Sequence, residues 1–170
     1  MLRIARSITE LNFTHLMEVY AESNRENGEE FYPEMPEGQR LLQTEQDFYQ
    51  YLRESFFKTQ GAYYALWVEK GVYVSALRIE PYKDGVLLEA LETAPEHRRK
   101  GYAKQMVTAV LAGEKRVYSH VGKRNVPSLK VHEACGFRRV SEQAAYIDGS
   151  VNAKCCTLCF EADKAAGSMV

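Results

Sequence analysis

The chain has 170 residues, of which 45% are hydrophobic, and this composition predicts one globular domain with a buried core. Because its mean hydropathy is −0.40 and its first residues lack the apolar stretch of a signal peptide, we expect a cytoplasmic protein without a membrane span. The net charge of −1 disfavours a protein that binds nucleic acid over its whole surface.

Charge is distributed unevenly along the sequence. Residues 1–50 contain ten acidic residues against four arginines, whereas residues 91–140 contain eleven basic residues against four glutamates. A basic segment in a nearly neutral protein indicates a site for an anion. Charge alone leaves open whether that anion is a nucleic acid or a small polyphosphate.

The first third of the sequence predicts one strand and two helices. Residues Leu2–Arg6 form the strand, and Thr9 opens a helix with a rough apolar face. The segment Asn24–Gly38 contains two glycines and two prolines, so it is predicted to be a loop. The second helix is predicted from about Thr44 to Phe57.

Three strands joined by tight turns are predicted next, over Ala62–Glu69, Val72–Glu80 and Val86–Thr93. Lys70-Gly71 connects the first pair and Asp84-Gly85 the second. An Asp-Gly pair between apolar runs is a good hairpin signal, so consecutive strands are predicted to be antiparallel.

The second half of the sequence predicts a strand–helix–strand unit. A helix over Tyr102–Leu111 carries an apolar stripe, and Arg116–Val121 reads as the strand that follows it. Because a helix separates this strand from the one at 86–93, the two strands are predicted to be parallel. The remaining predicted elements are a helix over Pro127–Cys135, strands over about Arg138–Tyr146 and Ala153–Glu161, and a turn at Asp148-Gly149.

These elements predict an α+β fold: a single mixed, mostly antiparallel sheet of about six or seven strands with about four helices. One domain is expected over residues 1–163, followed by a flexible tail over residues 164–170. The last predicted strand contains Cys155, Cys156 and Cys159, which could form a metal site. An apolar strand in a cytoplasmic chain favours buried free thiols instead, so no metal is expected.

The segment Arg98–Ala103, with the sequence RRKGYA, follows a predicted strand and opens a predicted helix. The first amide N–H groups of a helix have no internal partner, and the helix dipole favours an anion at that end. Gly101 lets the backbone approach such an anion closely, and the basic side chains before it add charge. We therefore predict a pyrophosphate site, the alternative being a solvated basic turn.

This segment resembles the [Arg/Gln]-x-x-Gly-x-[Gly/Ala] signature of the GNAT superfamily of N-acetyltransferases. The preceding strand, Leu87–Thr93, looks like the fourth strand of that family. Downstream, Asn125–Phe137 is similar to its second motif, with an Asn, a small residue and a final Gly-Phe. The resemblance covers residues 86–137 at the level of motifs, and residues 2–161 in the order of elements.

The resemblance implies acetyl-CoA as the co-substrate. In the family, the fourth strand often carries a bulge and splays from the fifth, and the cofactor enters the gap. By this correspondence the backbone of Leu91, Glu92 and Thr93 pairs with the pantetheine arm, which meets Asn125 and Ser128 on its other side. The pyrophosphate would be held by Arg98, Arg99, Lys100, Gly101, Tyr102, Ala103 and Lys104.

Acetylation of an amine needs a base for the amine and an acid for the departing thiolate. Where much of the family carries a tyrosine as the acid, this chain has His132. The resemblance therefore implies His132 as a general acid beside the cofactor, or as a histidine packed there without proton transfer. Glu89 and His120 are the first candidate bases and Glu92 the next, and an ordered water is a further alternative.

The expected acceptor is a primary amine of a small molecule or peptide, which attacks directly in a ternary complex. In the family, the region between the first two helices covers the acceptor cleft. Here Glu26–Glu34 is acidic and aromatic, which suits a cationic amine, although a solvated acidic loop has the same composition. Tyr146 and Asp148, near the last hairpin, could line the same cleft.

The sequence also leads to expectations about other partners. Neither nucleic acid nor a membrane is expected, and the chain is predicted to be a monomer or a homodimer. One alternative is a catalytically silent acetyl-CoA-binding domain of the same fold, with a sensor or regulatory role, which the missing tyrosine supports. The other is a protein that binds nucleic acid through its basic half.

Overall fold

A computed structural model describes residues 1–162 of the chain. Seven strands of this part form one sheet in the order β1-β2-β3-β4-β5-β9-β6, and β7 and β8 form a small separate ribbon. The strands are β1 (Leu2–Ala5), β2 (Tyr63–Glu69), β3 (Val72–Tyr82), β4 (Gly85–Thr93), β5 (Arg116–Gly122), β6 (Arg138–Ser141), β7 (Ala144–Ala145), β8 (Val151–Asn152) and β9 (Cys155–Glu161). The predicted α+β fold with a mixed, mostly antiparallel sheet is confirmed. The predicted tail, residues 164–170, lies outside the described residues.

Residues 1–162 also form five α-helices, against about four predicted. They are α1 (Phe13–Val19), α2 (Ala21–Phe31), α3 (Glu37–Glu54), α4 (Tyr102–Leu111) and α5 (Val126–Ala134). Within this part of the chain, no helix combines the length and the apolar character needed to cross a membrane.

The additional helix is α2, and the loop predicted over Asn24–Gly38 is therefore wrong for its first half. Gly28, one of the residues that suggested a loop, lies inside α2 and faces α3. A Cβ at this position would come within 3.1 Å of the Thr44 hydroxyl oxygen and 3.3 Å of the Arg40 Cβ. The glycine therefore allows two helices to pack closely, and it marks no turn. Helix α3 begins at Glu37, directly after Pro36, which suits a helix start.

The sheet has a separate core on each face. Under α4, the core contains Leu77, Ile79, Leu88, Met106, Val107, Val117 and Phe137. Under α1 and α3, it contains Leu16, Val19, Leu52, Phe56, Tyr64 and Leu66. The cysteine prediction is confirmed for Cys156 and Cys159, which are free and buried in β9, while Cys155 is free and partly buried. The predicted strand over Arg138–Tyr146 is instead split into β6 and β7.

The functional geometry of the sheet is set where β4 meets β5. The two strands are parallel, as predicted, but in the described chain they pair only over Val86–Leu88 and Val117–Ser119. Beyond Glu89 the register with β3 shifts, and Ala90 adopts a left-handed conformation with φ of 49°. Such a bulge bends β4 away from β5, which confirms the implied bulge and splay.

Candidate active site

A cleft of about 950 Å³ lies where β4 and β5 part. Its walls come from the end of β4, the turn before α4, the first turns of α4 and α5, and one face of α2. Of the residues predicted to bind the cofactor, it gathers Leu91, Glu92, Thr93, Arg98, Arg99, Gly101, Tyr102, Ala103, Lys104, Asn125 and Ser128. Two predicted residues, Lys100 and His132, do not line it.

The turn before α4 presents backbone to the cleft. Gly101 has φ of 81° and Arg99 has φ of 61°, so two left-handed residues lie just before the helix. The first intrahelical bond joins the Gln105 amide to the Gly101 carbonyl, which leaves the amides of the first turn without a helical acceptor. Backbone N–H groups in such a turn form an anion-binding concavity. Lys100 points elsewhere, because its ammonium group donates to the Glu96 carbonyl at 3.1 Å.

Arg98 connects the turn to α2. Its Nε donates to the Thr93 carbonyl at 3.2 Å, and its guanidinium forms an ion pair with Glu22. Both charged side chains are about half exposed. Arg98 therefore faces the cleft while an acidic residue of α2 already holds it.

The end of β4 offers backbone groups to a ligand. Ala90 and Leu91 have no partner in the register of the described neighbouring strands. The Tyr20 hydroxyl donates to the Ala90 carbonyl at 2.6 Å, and the Ser75 hydroxyl donates to the Glu92 carbonyl at 2.7 Å. Leu91 is thus the residue of this stretch that stands free to pair with an added strand-like ligand.

Asn125 and Ser128 form the facing wall at the start of α5. The Asn125 side chain accepts a hydrogen bond from the Ser128 amide at 3.2 Å and so caps the helix. The motif asparagine therefore has a structural role at the same position where it faces the cleft.

His132 lies behind this wall, and only 1% of its surface is exposed. Its Nδ1 is 2.8 Å from the Ser128 carbonyl oxygen, and its Nε2 is 2.9 Å from the Ser119 hydroxyl. Burial lowers the pKa of the imidazole, against the opposing effect of the Ser128 carbonyl. The sequence placed His132 beside the cofactor, but the structure places both ring nitrogens on protein partners away from the cleft.

Both ring nitrogens of His120 also lie on protein partners. Its Nδ1 is 3.0 Å from the Thr157 hydroxyl, and its Nε2 is 3.1 Å from the Ala145 carbonyl oxygen. The pKa of the ring is lowered, chiefly by burial. Tyr146 packs edge-on against the ring, with centroids 5.2 Å apart. His120 thus ties β5 to β9 and β7, and neither nitrogen is left free to take a proton from a substrate.

Glu89 differs from both histidines because one of its side-chain oxygens has no protein partner within residues 1–162. It directly follows Leu88, where β4 and β5 part, and lies opposite Arg78 on β3. Among the described residues, its buried Oε2 has no hydrogen-bond partner. Burial raises the pKa of this carboxyl to about 7, with Arg78 opposing the rise and Glu80 adding to it. This is the range in which a carboxylate acts as a base near neutral pH.

Arg78 was not singled out from the sequence. Its guanidinium carbon lies 5.1 Å from the centroid of the Tyr51 ring, 5.7 Å from Phe56 and 6.0 Å from Phe48. The rings hold the cation on the α3 side of the sheet, beside Glu89. Its role depends on a pairing between strands and helices that no local pattern reveals.

The acidic segment predicted to cover the acceptor is helical as far as Phe31, and its residues divide between two cavities. Glu26, with Glu22 and Ser23 of the same helix, lines the cofactor cleft. Phe31 and Tyr32 line a second cavity of about 520 Å³ between α2 and α3. Glu22 and Ser23 were not predicted as cleft residues. The sequence predicts a loop from Asn24 onward, and so it does not indicate the helix α2 that brings both residues to the cleft.

The remaining candidates are Glu92, Tyr146 and Asp148. Glu92 lines the cleft, and burial raises the pKa of its carboxyl, with Ser23 and Arg98 opposing. Tyr146 lies beside His120 and away from the walls of the cleft. Asp148 is exposed in the turn after β7, where it accepts hydrogen bonds from Ser150.

The model of the Acetyltransferase (GNAT) family matches residues 16–137. No curated protein matches the chain significantly.

Several solved structures share the fold. The PaiA N-acetyltransferase of Thermoplasma acidophilum, solved with coenzyme A, is 13% identical over 95% of this chain and 99% of its own, with a TM-score of 0.62. An acetyltransferase of Streptococcus agalactiae is 15% identical over 95% and 98%, with a TM-score of 0.62. The spermidine N-acetyltransferase of Vibrio cholerae, solved with CoA and spermine, is 15% identical over 95% and 94%, with a TM-score of 0.58. At these identities the likeness concerns the fold alone.

Proposed function

The chain belongs to the GNAT acetyltransferase family, and on that premise we propose that it acetylates a primary amine of a small molecule or peptide by direct attack in a ternary complex. It is an acyltransferase, and acetyl-CoA is its co-substrate. The observation that carries the proposal is the cleft at the β4–β5 fork. It combines a helix N-terminus and a free stretch of strand, and the same strand carries Glu89, whose carboxyl has a pKa raised to about 7 where β4 and β5 part.

The cofactor fits the two ends of this cleft. We place the pyrophosphate on the amides of the first turn of α4, where Arg99 and Lys104 add positive charge. We place the pantetheine arm along Leu91, between β4 and the wall formed by Asn125 and Ser128. Lys100 is not part of this proposal, because its ammonium group is turned to Glu96.

Glu89 is the proposed base. An alkylammonium ion has a pKa of roughly 10, so the acceptor must lose a proton before or during attack. Glu89 lies at the fork, has a buried oxygen without a protein partner, and can take that proton directly or through one water. The engaged nitrogens of His120 and His132 argue against either histidine in this role. The Leu91 amide is the proposed donor to the thioester oxygen.

A cationic acceptor suits the acidic side of the cleft. Glu22, Glu26 and Glu92 supply carboxylates there. The Vibrio cholerae neighbour was solved with spermine, which makes polyamines the first compounds to test here. The cytoplasmic location and the monomeric or dimeric state stay predictions from the sequence.

The proposal is tested by following thiol release from acetyl-CoA with a panel of polyamines, amino acids and peptides with free N-termini. Binding of acetyl-CoA is measured separately by calorimetry. We expect micromolar to millimolar KM values for at least one amine class. Binding without turnover for any amine would identify a silent acetyl-CoA-binding domain. Absence of both binding and turnover would contradict the proposal entirely.

A further inference from the structure

His132 forms a bridge between α5 and β5. On the α5 side, Nδ1 lies 2.8 Å from the Ser128 carbonyl oxygen, one helical turn back. On the β5 side, Nε2 lies 2.9 Å from the Ser119 hydroxyl oxygen. Phe137 packs edge-on against the ring at 4.9 Å between centroids, so the imidazole has one fixed orientation.

Ser119 also contacts β4. Its hydroxyl lies 3.1 Å from the Leu88 carbonyl oxygen and is buried. Leu88 and Ser119 are also the last residues that β4 and β5 pair before they part. The chain of contacts from Ser128 through His132 and Ser119 to Leu88 therefore ends where β4 and β5 part.

Hydrogen-bond roles fix the neutral form of the ring. A carbonyl oxygen can only accept, so Nδ1 carries the proton and donates it to Ser128. The unprotonated Nε2 then accepts the single proton of the Ser119 hydroxyl, so in this form of the ring the Leu88 carbonyl oxygen contacts that hydroxyl without receiving its proton. A general acid would need an N–H directed at the departing thiolate, and this ring directs its N–H into α5.

We propose that His132 is a positioning residue that acts through Ser119 to hold α5 against β5, and that it thereby fixes the Asn125–Ser128 wall at the distance from β4 that admits the pantetheine arm. It occupies the place of the family's tyrosine acid without donating the proton. The inference rests on the proposed function in one respect, namely that acetyl-CoA lies in this cleft.

Two isosteric substitutions separate the roles. His132→Gln places a side-chain oxygen where Nε2 lies and can still accept from Ser119. His132→Asn places its amide where Nδ1 lies and loses Ser119. Neither amide ionises, so a general acid would be lost equally in both variants. A proton route through the Ser128 hydroxyl, 3.4 Å from Nδ1, would be broken by both as well.

Ser119→Ala supplies an independent test, because it cuts the bridge and leaves the imidazole in place. Thr44→Val is the matched control: it also removes a buried hydroxyl, in this case one of α3 that donates to the Arg40 carbonyl. The readouts are the Kd of acetyl-CoA by calorimetry, KM and kcat across pH, and Tm as the measure of folding.

We expect His132→Asn and Ser119→Ala each to raise the Kd and KM for acetyl-CoA about five- to tenfold, the effect of one lost hydrogen bond. His132→Gln should stay within about twofold of the parent, as should the Kd of Thr44→Val. The pH dependence of kcat should be unchanged in all four. The combined Ser119→Ala and His132→Asn variant should be no worse than either alone.

The inference is overturned if His132→Gln and His132→Asn lose kcat equally, on the order of 10²-fold, while Ser119→Ala leaves Kd and KM unchanged. Because Kd is measured without an acceptor, the comparison holds even if no amine is turned over. Failure of the proposed function and failure of this inference are therefore distinguishable.

Discussion

At the scale of single residues, free hydrogen-bonding capacity separates the candidates for proton transfer. His120 and His132 have both ring nitrogens on protein partners, and burial lowers the pKa of each. Glu89 keeps a buried oxygen without a described partner and has a raised pKa. A group left unsatisfied in the folded protein is costly, and such groups concentrate where a substrate completes them.

Glu89 predicts the pH dependence of the reaction. As a base, the carboxyl must be ionised, and its pKa is raised to about 7. We therefore expect kcat/KM to rise with pH through about 7 and to level off above it. Glu89→Gln should lower kcat/KM by about 10²- to 10⁴-fold and remove this rise. A pH profile of Glu89→Gln that keeps the rise would assign the base elsewhere.

The neighbours of Glu89 predict shifts of the same profile in opposite directions. Arg78 lowers the pKa of Glu89 and Glu80 raises it. Arg78→Met should therefore move the midpoint to higher pH, and Glu80→Gln should move it to lower pH. Arg78→Lys, which keeps the charge, is the control and should move it less. Midpoints that coincide in all three variants would show that the titrating group lies outside this cluster.

The sequence predicts the roles of single residues better for the first motif, the RRKGYA turn, than for the second motif, which contains His132. The RRKGYA turn was found from sequence because its function lies in local backbone geometry, a glycine before a helix. The hydrogen bonds that engage both ring nitrogens of His132 could not be predicted from such a local pattern. The position of His132 in the motif is local, but its partner Ser119 lies in a different element, strand β5. The pKa of Glu89 likewise depends on residues across a hairpin.

At the scale of elements, the bulge in β4 depends on one residue. Ala90 has φ of 49°, a conformation that a β-branched side chain strongly disfavours. We expect Ala90→Val to weaken acetyl-CoA binding roughly tenfold, since a strain of about 1–2 kcal/mol opposes the bulge. Ala90→Gly should bind at least as tightly as the parent. Calorimetry measures both, and equal affinity of Val and Gly variants would show that the bulge does not set the cleft.

The ion pair between α2 and the turn before α4 predicts that its removal raises the affinity for acetyl-CoA. Glu22 pairs with Arg98, and a bound pyrophosphate would compete for the same guanidinium. Glu22→Gln should tighten acetyl-CoA binding up to about fivefold, the range of an exposed ion pair. Glu26→Gln removes a charge from the same wall without touching Arg98 and should have a smaller effect. The difference between the two variants should shrink as salt is added, and unchanged affinity in Glu22→Gln would contradict the competition.

Elements were predicted best where one signal dominates. Helix α4 has the predicted bounds because a glycine precedes it and its apolar stripe has helical spacing. Helix α2 was missed because Gly28 was read as a loop residue. Its actual role, close packing against α3, is a property of two helices together.

At the scale of the whole molecule, the sheet consists of two halves joined at one short parallel pairing. The strands β1 to β4 form one half, and β5, β9 and β6 form the other. Both halves contribute to the core under α4, so they are held together at one end and part at the other. The cofactor cleft lies at this open end, and a ligand in it would lie between the end of β4 and the start of α5, the helix that follows β5.

This arrangement predicts how acetyl-CoA stabilises the protein. At 100 times its Kd, a ligand of the folded state adds about 2.7 kcal/mol, or about 5–10 °C in Tm for a chain of this size. Hydrogen exchange should show where it acts: in Leu91–Thr93, in the first turn of α4 and at the start of α5, with α3 unchanged.

Two fragments of acetyl-CoA should divide this protection between the two ends of the cleft. Acetyl-pantetheine should protect Leu91–Thr93 and the start of α5, and adenosine 3′-phosphate 5′-diphosphate should protect the start of α4 alone. Each should stabilise less than acetyl-CoA, because each occupies only one end of the cleft. Protection of α4 by acetyl-pantetheine would show that the two ends of the cleft are coupled through the protein itself.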